Sequence, residues 1–379
     1  MARAGLSWLH ARRVRAPREH QRRPAPEAGD TGISGDCRQV SSLAVAEERS
    51  KAAGPAPRGP TGEETPRPAA TVMVVRDVVG ASLEVLLVRR SLRAAFVGGA
   101  YVFPGGVVDP GDAGPRAERL SCGRSDADAS AVLGVGSGGL SYWIAAIREC
   151  FEEAGLLLAC GVSGEPVVLS TPAAAARFAR HRALLNARQE TFLDICEVEG
   201  LRLLAGELAY FAHWITPEGS SRRYDTRFFV AAAPPGQAPA HDARETVAHL
   251  WVRPAEALER HRSGEIDLVL PTIRNLQAIA AFATTAELLD AASSQREVAA
   301  VLPRVVVDGG VARLLVPGDP GCSYPAELAG GAVGTGSSPT GFREGEGDVG
   351  TAIRLASFGP SAPCDARGGA GAPGPRSHG

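Results

Sequence analysis

The chain has 379 residues, a formal net charge of −2 and a hydrophobic fraction of 44%. This near-neutral charge gives no reason to expect nucleic acid as a general partner, and no apolar run reaches the roughly 18 residues that a membrane-spanning helix needs. The seven cysteines are odd in number and include no Cys-x-x-Cys pair, so neither a disulfide scaffold nor a zinc site is expected. We therefore expect a cytoplasmic protein with reduced thiols.

The two ends of the chain are predicted to be disordered tails. Residues 1–68 are rich in Pro, Arg, Gly and Ala with almost no apolar periodicity, and residues 318–379 repeat this composition. Such segments cannot bury enough apolar surface to offset the entropy of ordering them. The arginines of residues 1–18 fit a transit peptide, a disordered basic tail or a start codon assigned too far upstream. One domain over residues 69–317 is therefore expected.

Strands and helices are predicted to alternate through this domain. Residues 70–75 and 83–88 have the apolar patterns of two strands, joined by a turn near Gly80. The later elements are helices at 172–188 and 192–199, strands at 208–215, 227–232 and 247–252, helices at 255–261 and from Pro271, and a hairpin at 303–316.

Residues 143–155 predict a helix with one apolar side and one acidic side. The side expected to pack against a core carries Trp143, Ile144, Ile147 and Phe151. Glu149, Glu152 and Glu153 lie within about one turn of one another and are expected to face outward. Gly155 is expected to end the helix in the left-handed conformation.

The three glutamates of this helix are candidate metal ligands. Their mutual repulsion is unfavourable unless a cation lies among them, and hard divalent cations such as Mg²⁺ prefer oxygen ligands. Arg148 precedes Glu152 by four residues and is expected to pair with it. Taken alone, this pattern also fits an ordinary solvated helix face, so the neighbouring residues decide between the two interpretations.

A glycine-rich stretch upstream completes a pattern that is known in one family. Phe103-Pro104-Gly105-Gly106 is followed by Asp112 and, after the insertion described below, by Arg-Glu-Cys-Phe-Glu-Glu-Ala-Gly at 148–155. Together these stretches resemble the Nudix box, in which a glycine, five residues, an acidic residue and a spacer of seven precede Arg-Glu-x-x-Glu-Glu-x-Gly. Gly106 and Asp112 have the required separation, and Cys150 stands where an aliphatic residue is usual.

The box of this chain is split by an insertion. Asp112 and Arg148 are separated by 35 residues instead of seven, which leaves the role of Asp112 open. The insertion at about 113–140 is rich in Gly, Ser, Ala and Asp, and we interpret it as a surface excursion. A box split in this way resembles that of the peroxisomal coenzyme A diphosphatase-like subgroup.

The resemblance implies a fold, a cofactor and a set of site residues. The fold would be an α/β Nudix-type α/β/α sandwich with a mixed sheet. Mg²⁺ or Mn²⁺ would be bound by Glu149, Glu152 and Glu153, which are also the catalytic candidates, and the general base among them is left undecided. Gly105 and Gly106 would belong to the loop that binds the metal and a diphosphate.

Residues 86–106 carry a second resemblance, to coenzyme A diphosphatases. These Nudix proteins have Leu-Leu-Thr-x-Arg-Ser, three residues, Arg, three residues, Gly, three residues and Phe-Pro-Gly-Gly. The chain matches in the same register at 86–91, at Gly99 and at 103–106.

Two positions of that second pattern differ. Val88 replaces the threonine, and Ala95 replaces the second arginine, although Arg93 is two residues away. By this resemblance Arg90 and Arg93 are candidates to hold the 3′-phosphate of coenzyme A. The same stretch also has the pattern of an ordinary strand that ends at a basic turn.

Further candidate residues follow the helix. Arg222 and Arg223 lie in a segment similar to one in the split-box subgroup and are expected either to meet substrate phosphates or to form salt bridges. For Arg227 a structural role is favoured. Glu245 is also favoured as structural, with an approach to the metal from another loop as the alternative.

The function predicted from these patterns is metal-dependent hydrolysis of a diphosphate linked to a nucleoside. Coenzyme A or an acyl-coenzyme A is the leading substrate, which would give adenosine 3′,5′-bisphosphate and a 4′-phosphopantetheine product. The alternatives are a Nudix enzyme acting on ADP-ribose or a dinucleotide, and a Nudix-fold module that binds a nucleotide without turnover. The sequence makes no prediction of the oligomeric state.

Overall fold

The computed structural model describes residues 65–316, with the exception of 79, 81–82, 93–96, 243, 296 and 309–310. Nearly all of the two predicted tails, residues 1–64 and 317–379, lies outside these described residues. The predicted disorder of the tails therefore stays a prediction.

The strands among the described residues are β1 (Arg67–Arg76), β2 (Glu84–Arg90), β3 (Tyr101–Val102), β4 (Gly105–Val107), β5 (Ala159–Gly161), β6 (Leu201–Leu203), β7 (Ala209–Ile215), β8 (Tyr224–Ala232), β9 (Thr246–Val252), β10 (Ala300–Val301), β11 (Arg304–Asp308) and β12 (Val311–Leu315). The α-helices there are α1 (Pro115–Leu120), α2 (Asp126–Leu133), α3 (Leu140–Ala154), α4 (Pro172–Asn186), α5 (Phe192–Val198), α6 (Pro254–Arg262), α7 (Leu270–Ile279) and α8 (Thr285–Ser294). Two short 3-10 turns are Pro110–Asp112 and Ala205–Glu207.

A mixed eight-stranded sheet forms the centre of the domain. Its strands run in the order β10-β7-β8-β1-β2-β3, with β4 paired to β1 and β9 paired to β2. β1 pairs in parallel with β8 and antiparallel with β4, so that Ala70 lies between Arg227 and Gly106. The glycine-rich stretch is therefore held against the start of β1 by backbone hydrogen bonds.

Helices cover both faces of this sheet. On one face, Val72 and Val74 of β1 share a core with Trp143 and Phe151 of α3. On the other, alternate residues of the central strands pack against α6, α7 and α8. This alternation follows from the two-residue period of a strand, and it confirms the predicted α/β/α sandwich with a mixed sheet.

The elements predicted from apolar patterns are present within a few residues. β1, β2, β7, β8, β9 and the hairpin β11–β12 were all predicted, as were α3 to α7. The strands β3 to β6 are only two or three residues long, and segments this short carry too little pattern to be recognised. No helix among the described residues is long and apolar enough to cross a membrane.

The insertion differs from the expected surface excursion. It contains α1 and α2, and Ala117, Ala129 and Leu133 from these helices are buried in the same core as α3. Ser125 caps α2 by accepting a hydrogen bond from the Asp128 backbone N–H, and the two residues form a capping box. The expectation was wrong because Ala117, Ala129 and Leu133, although diluted by Gly and Ser in the sequence, lie on the helix sides that face the core.

Candidate active site

The acidic side of α3 is buried. Glu149 and Glu153 are only 8% and 4% exposed, and Glu152 is partly exposed. The expectation that all three glutamates face outward was therefore wrong, because β4 packs over this side of the helix. The apolar side is buried as predicted, and Gly155 ends the helix with φ 68°.

Gly105 and Gly106 allow this close packing. A Cβ atom on Gly106 would lie 2.4 Å from Oε1 of Glu149, and one on Gly105 would lie 2.3 Å from Oγ1 of Thr71. The Gly105 backbone N–H donates a hydrogen bond to Oε2 of Glu153 at 3.1 Å. The glycines that the resemblance assigned to a binding loop are thus in direct contact with two of the three glutamates.

Arg148 joins the two halves of the split box. Its Nε and Nη2 donate to the two carboxylate oxygens of Asp112, each at 2.9 Å. Its Nη1 donates to Glu149 at 2.7 Å and to Glu152 at 3.1 Å, and Nη2 also donates to the Val107 carbonyl at 2.8 Å. Asp112, whose role the sequence left open, is therefore a buried partner of the arginine that orients the glutamates.

The carboxyl groups of the site have raised pKa values. Burial raises the pKa of Glu149 to about 7, although the charge of Arg148 opposes this shift. Burial, with the neighbouring Glu149, also raises the pKa of Glu153 well above its usual value. The pKa values of Glu152 and Asp112 are raised by burial as well. The site thus concentrates acidic groups whose ionisation is costly without a further cation.

A divalent cation fits this donor set. The described residues do not form a preassembled group of three His, Cys, Asp or Glu ligands, since the Arg148 guanidinium lies between Glu149 and Glu152. Glu149 and Glu153 nevertheless present oxygen donors whose charge is compensated only in part. Hard cations such as Mg²⁺ and Mn²⁺ prefer such oxygens, so the predicted ligands Glu149, Glu152 and Glu153 suit the predicted metal.

Arg90 faces the same site. Between Arg89 and Arg90 the pairing of β2 with β9 shifts by one residue, so Arg90 pairs with Thr246. Such bulges redirect side chains. The charge of Arg90 partly offsets the rise in the pKa of Glu153. The Nε of Arg90 is buried and has no hydrogen-bond partner within the described part of the chain. Arg93, the second candidate for the 3′-phosphate, lies outside the described residues.

Arg222 and Arg223 lie at the turn that leads into β8. Arg223 is buried and donates its Nε to the Thr216 carbonyl at 3.1 Å, whereas Arg222 is exposed. This turn flanks the start of β1 on the side away from β4. Arg227 makes structural contacts, with Nη1 donating to the Tyr210 hydroxyl at 3.0 Å and to Nδ1 of His213 at 2.7 Å.

Glu245 was the less favoured metal-site candidate of the sequence, whereas Arg182 was not found by sequence reasoning. The negative charge of Glu245, on the loop before β9, contributes to the raised pKa of Glu153. Arg182, from the middle of α4, carries a charge that acts on Glu152 and Glu153. Arg182 belongs to no motif, so only the fold reveals that it lies near the glutamates.

Comparison with known proteins agrees with this geometry. Residues 126–279 match the family model described as the NUDT19 Nudix domain. The chain is 32% identical over 241 residues to the acyl-coenzyme A diphosphatase NUDT19 of Gallus gallus, a match that covers 54% of this chain and 63% of that protein. The protein of the same name from Homo sapiens is 29% identical over 253 residues, covering 59% and 67%.

A solved Nudix hydrolase from Alicyclobacillus acidocaldarius is 30% identical with a TM-score of 0.49, over 60% of this chain and 96% of that one. The chain spans a little under two thirds of the length of the Gallus gallus relative and of its Xenopus laevis counterpart, at 63% and 62%.

The family model and the curated relatives match a Nudix domain within this chain, which agrees with the assembled box and supports a Nudix hydrolase enzyme. The curated relatives that it resembles are named acyl-coenzyme A diphosphatases.

Proposed function

We propose that this protein hydrolyses coenzyme A or acyl-coenzyme A in a metal-dependent reaction. The products would be adenosine 3′,5′-bisphosphate and 4′-phosphopantetheine or its acyl derivative. The observation that carries the proposal is the burial of Glu149 and Glu153 against Gly105 and Gly106. The choice of substrate is supported by the relatives that are named acyl-coenzyme A diphosphatases. A diphosphate is the part of coenzyme A that such a site would recognise.

Each residue of the site has a defined task in this proposal. Glu149, Glu152 and Glu153 would hold Mg²⁺ or Mn²⁺, which when bound neutralises a diphosphate and lowers the pKa of a water molecule. Arg148 keeps Glu149 and Glu152 oriented, while Asp112 holds Arg148 in place. A glutamate oxygen that is not used as a ligand accepts the proton of the attacking water.

The basic residues around the glutamates would bind the substrate. Arg90 supplies positive charge beside Glu153, where a diphosphate that approaches the glutamates would meet it. Arg93, Arg222 and Arg223 remain candidates for the outer phosphate groups.

A substrate panel tests the proposal. The purified protein would be incubated with Mg²⁺ or Mn²⁺ and coenzyme A, acetyl-coenzyme A, dephospho-coenzyme A, ADP-ribose and a diadenosine polyphosphate, and the products would be identified by mass. We expect adenosine 3′,5′-bisphosphate from coenzyme A and its acyl derivative. Turnover of ADP-ribose or the dinucleotide alone would contradict the substrate assignment and favour the alternative Nudix diphosphatase.

A nucleotide-binding module without turnover is the second alternative. It would bind these compounds without product formation, whereas the intact glutamates favour catalysis. The double variant Glu152→Gln/Glu153→Gln is the matched control, because it keeps the shape of the site and should abolish product formation.

A further inference from the structure

The last turn of α3 is held by side chains from outside the helix. A helix leaves its final carbonyl groups without partners in the helix, and here this turn carries Glu152 and Glu153. The Glu152 carbonyl accepts hydrogen bonds from Nε of Arg182 at 2.9 Å and from Nδ2 of Asn186 at 3.4 Å. The Glu153 carbonyl accepts one from the Thr246 hydroxyl at 3.0 Å. The backbone of both glutamates is thereby fixed by α4 and β9.

Arg182 reaches this helix end through the space that Gly155 leaves. A Cβ atom on Gly155 would lie 3.1 Å from Nη1 of Arg182 and 3.4 Å from the Ala240 carbonyl. A cation at the C-terminus of a helix also interacts favourably with the helix dipole. The glycine that ends the box therefore has a second task, which is to let a guanidinium approach the carbonyl groups of the last turn.

Arg182 is half-buried beside this helix end. Its Nη2 is buried without a hydrogen-bond partner among the described residues. Unpaired buried donors are uncommon in proteins and call for an explanation. Here the other donor of the same guanidinium, Nε, is held by the Glu152 carbonyl, which fixes the position of Arg182 at the helix end.

We propose that Arg182 is a positioning residue for the metal site. By fixing the Glu152 carbonyl and with it the last turn of α3, it holds Glu152 and Glu153 where both can bind the cation. This inference rests on the proposed function, because it takes these glutamates to be metal ligands. It is distinct from substrate binding, since Arg182 acts through the backbone of α3.

Metal binding without substrate is the direct test. Mn²⁺ affinity would be measured by electron paramagnetic resonance for the unmutated protein, Arg182→Met and Arg180→Met, with the melting temperature of each. Arg180 lies on the same helix and is exposed, so it is a matched control. We expect Arg182→Met to weaken Mn²⁺ binding about tenfold or more, the usual scale for groups that orient metal ligands, and Arg180→Met to leave it unchanged.

Arg182→Lys extends the test, because lysine restores a long side chain with a donor for the Glu152 carbonyl. It should recover much of the Mn²⁺ affinity, and in turnover assays Arg182→Met should lower kcat more than it changes KM. If Arg182→Met does not fold, Arg182→Gln is used instead, and it should still weaken Mn²⁺ binding because its shorter side chain does not reach the Glu152 carbonyl in the same way.

Three results would overturn the inference. Unchanged Mn²⁺ affinity in a folded Arg182→Met or Arg182→Gln protein would reduce Arg182 to a helix cap. Equal losses in the Arg180→Met control would show a general effect of charge. Absence of Mn²⁺ binding by the unmutated protein would remove the metal site itself, and that result separates failure of the proposed function from failure of this inference alone.

Discussion

Asp112 and Arg148 are 36 residues apart in the chain, yet they form a buried pair with two hydrogen bonds of 2.9 Å. Both side chains are almost completely buried, with 3% and 7% exposure. The two-pronged geometry of the guanidinium matches both carboxylate oxygens at once. Through this pair the two halves of the split box become one site, because the same guanidinium also contacts Glu149 and Glu152.

Breaking this pair should destabilise the domain and disturb the glutamates. We expect Asp112→Ala to lower the free energy of unfolding by about 3 kcal/mol, since removal of one partner leaves a buried charge poorly compensated. Urea denaturation would measure the change. Asp109→Ala is the control, because Asp109 lies 3.8 Å from Arg148 but is 59% exposed, and such exposed pairs contribute at most about 1 kcal/mol. Equal effects of the two variants would contradict the role of Asp112.

Gly106→Ala should lower activity without unfolding the protein. The added methyl group would lie 2.4 Å from the Glu149 carboxylate, so this side chain must move away from its position over β4. We expect at least a tenfold loss of kcat/KM, because small displacements of catalytic groups have effects of about 10²-fold. Gly111→Ala is the control, since its Cβ would meet nothing within 4 Å. Full activity of Gly106→Ala would show that catalysis does not require the Glu149 carboxylate to lie against Gly106.

The glutamates of the last turn should be needed for turnover and much less for folding. We expect Glu152→Gln or Glu153→Gln to slow turnover by roughly 100-fold or more, because each removes a charged metal ligand and several kcal/mol of transition-state stabilisation. Steady-state kinetics at saturating Mg²⁺ would be combined with circular dichroism of each variant. Unchanged turnover in both folded variants would refute the site assignment.

The metal-free protein should lose stability as the pH rises. In the folded protein the pKa of Glu149 is raised to about 7 from 4.5. Its contribution to the free energy of unfolding is therefore complete below about pH 4.5 and is lost as the pH rises through 7. Glu149→Gln remains neutral, so at pH 8 we expect it to be more stable than the unmutated protein by on the order of 3 kcal/mol. At pH 4.5 the two should be similar.

Melting temperatures in the presence of a chelator would measure this difference. Added Mg²⁺ should stabilise the unmutated protein at pH 8 and reduce the advantage of the variant. A Glu149→Gln protein that is less stable at pH 8 without metal would contradict the prediction.

Arg90 distinguishes two views of substrate recognition. If its charge binds the 3′-phosphate, Arg90→Ala should lower kcat/KM for coenzyme A by the equivalent of about 1.5 to 3 kcal/mol. It should leave kcat/KM for dephospho-coenzyme A, which lacks that phosphate, nearly unchanged. Its charge acts on Glu153 at the centre of the site, so we expect losses on both substrates. Comparison of kcat/KM for the two substrates decides between these views, and a loss confined to coenzyme A would support the 3′-phosphate assignment. Arg89→Ala is the control, since Arg89 precedes the bulge and donates instead to the Gly99 carbonyl.

The sequence by itself determined the local part of the site. The spacing of Glu149, Glu152 and Glu153 and the apolar side of α3 follow from the 3.6-residue period of a helix, which acts over neighbouring residues. The glycine ending of α3 and the positions of the longer strands have the same local origin. Patterns of this kind are visible without any knowledge of the rest of the fold.

Only the tertiary structure decided which groups surround these glutamates. The acidic side of α3 is buried because β4, 42 or more residues earlier in the chain, packs over it, and no local pattern records that choice. The partners Asp112, Arg182 and Thr246 come from segments 36, 30 and 93 residues away from the groups they hold. Such contacts depend on how strands and helices meet across the core, so they appear only when the whole domain is folded.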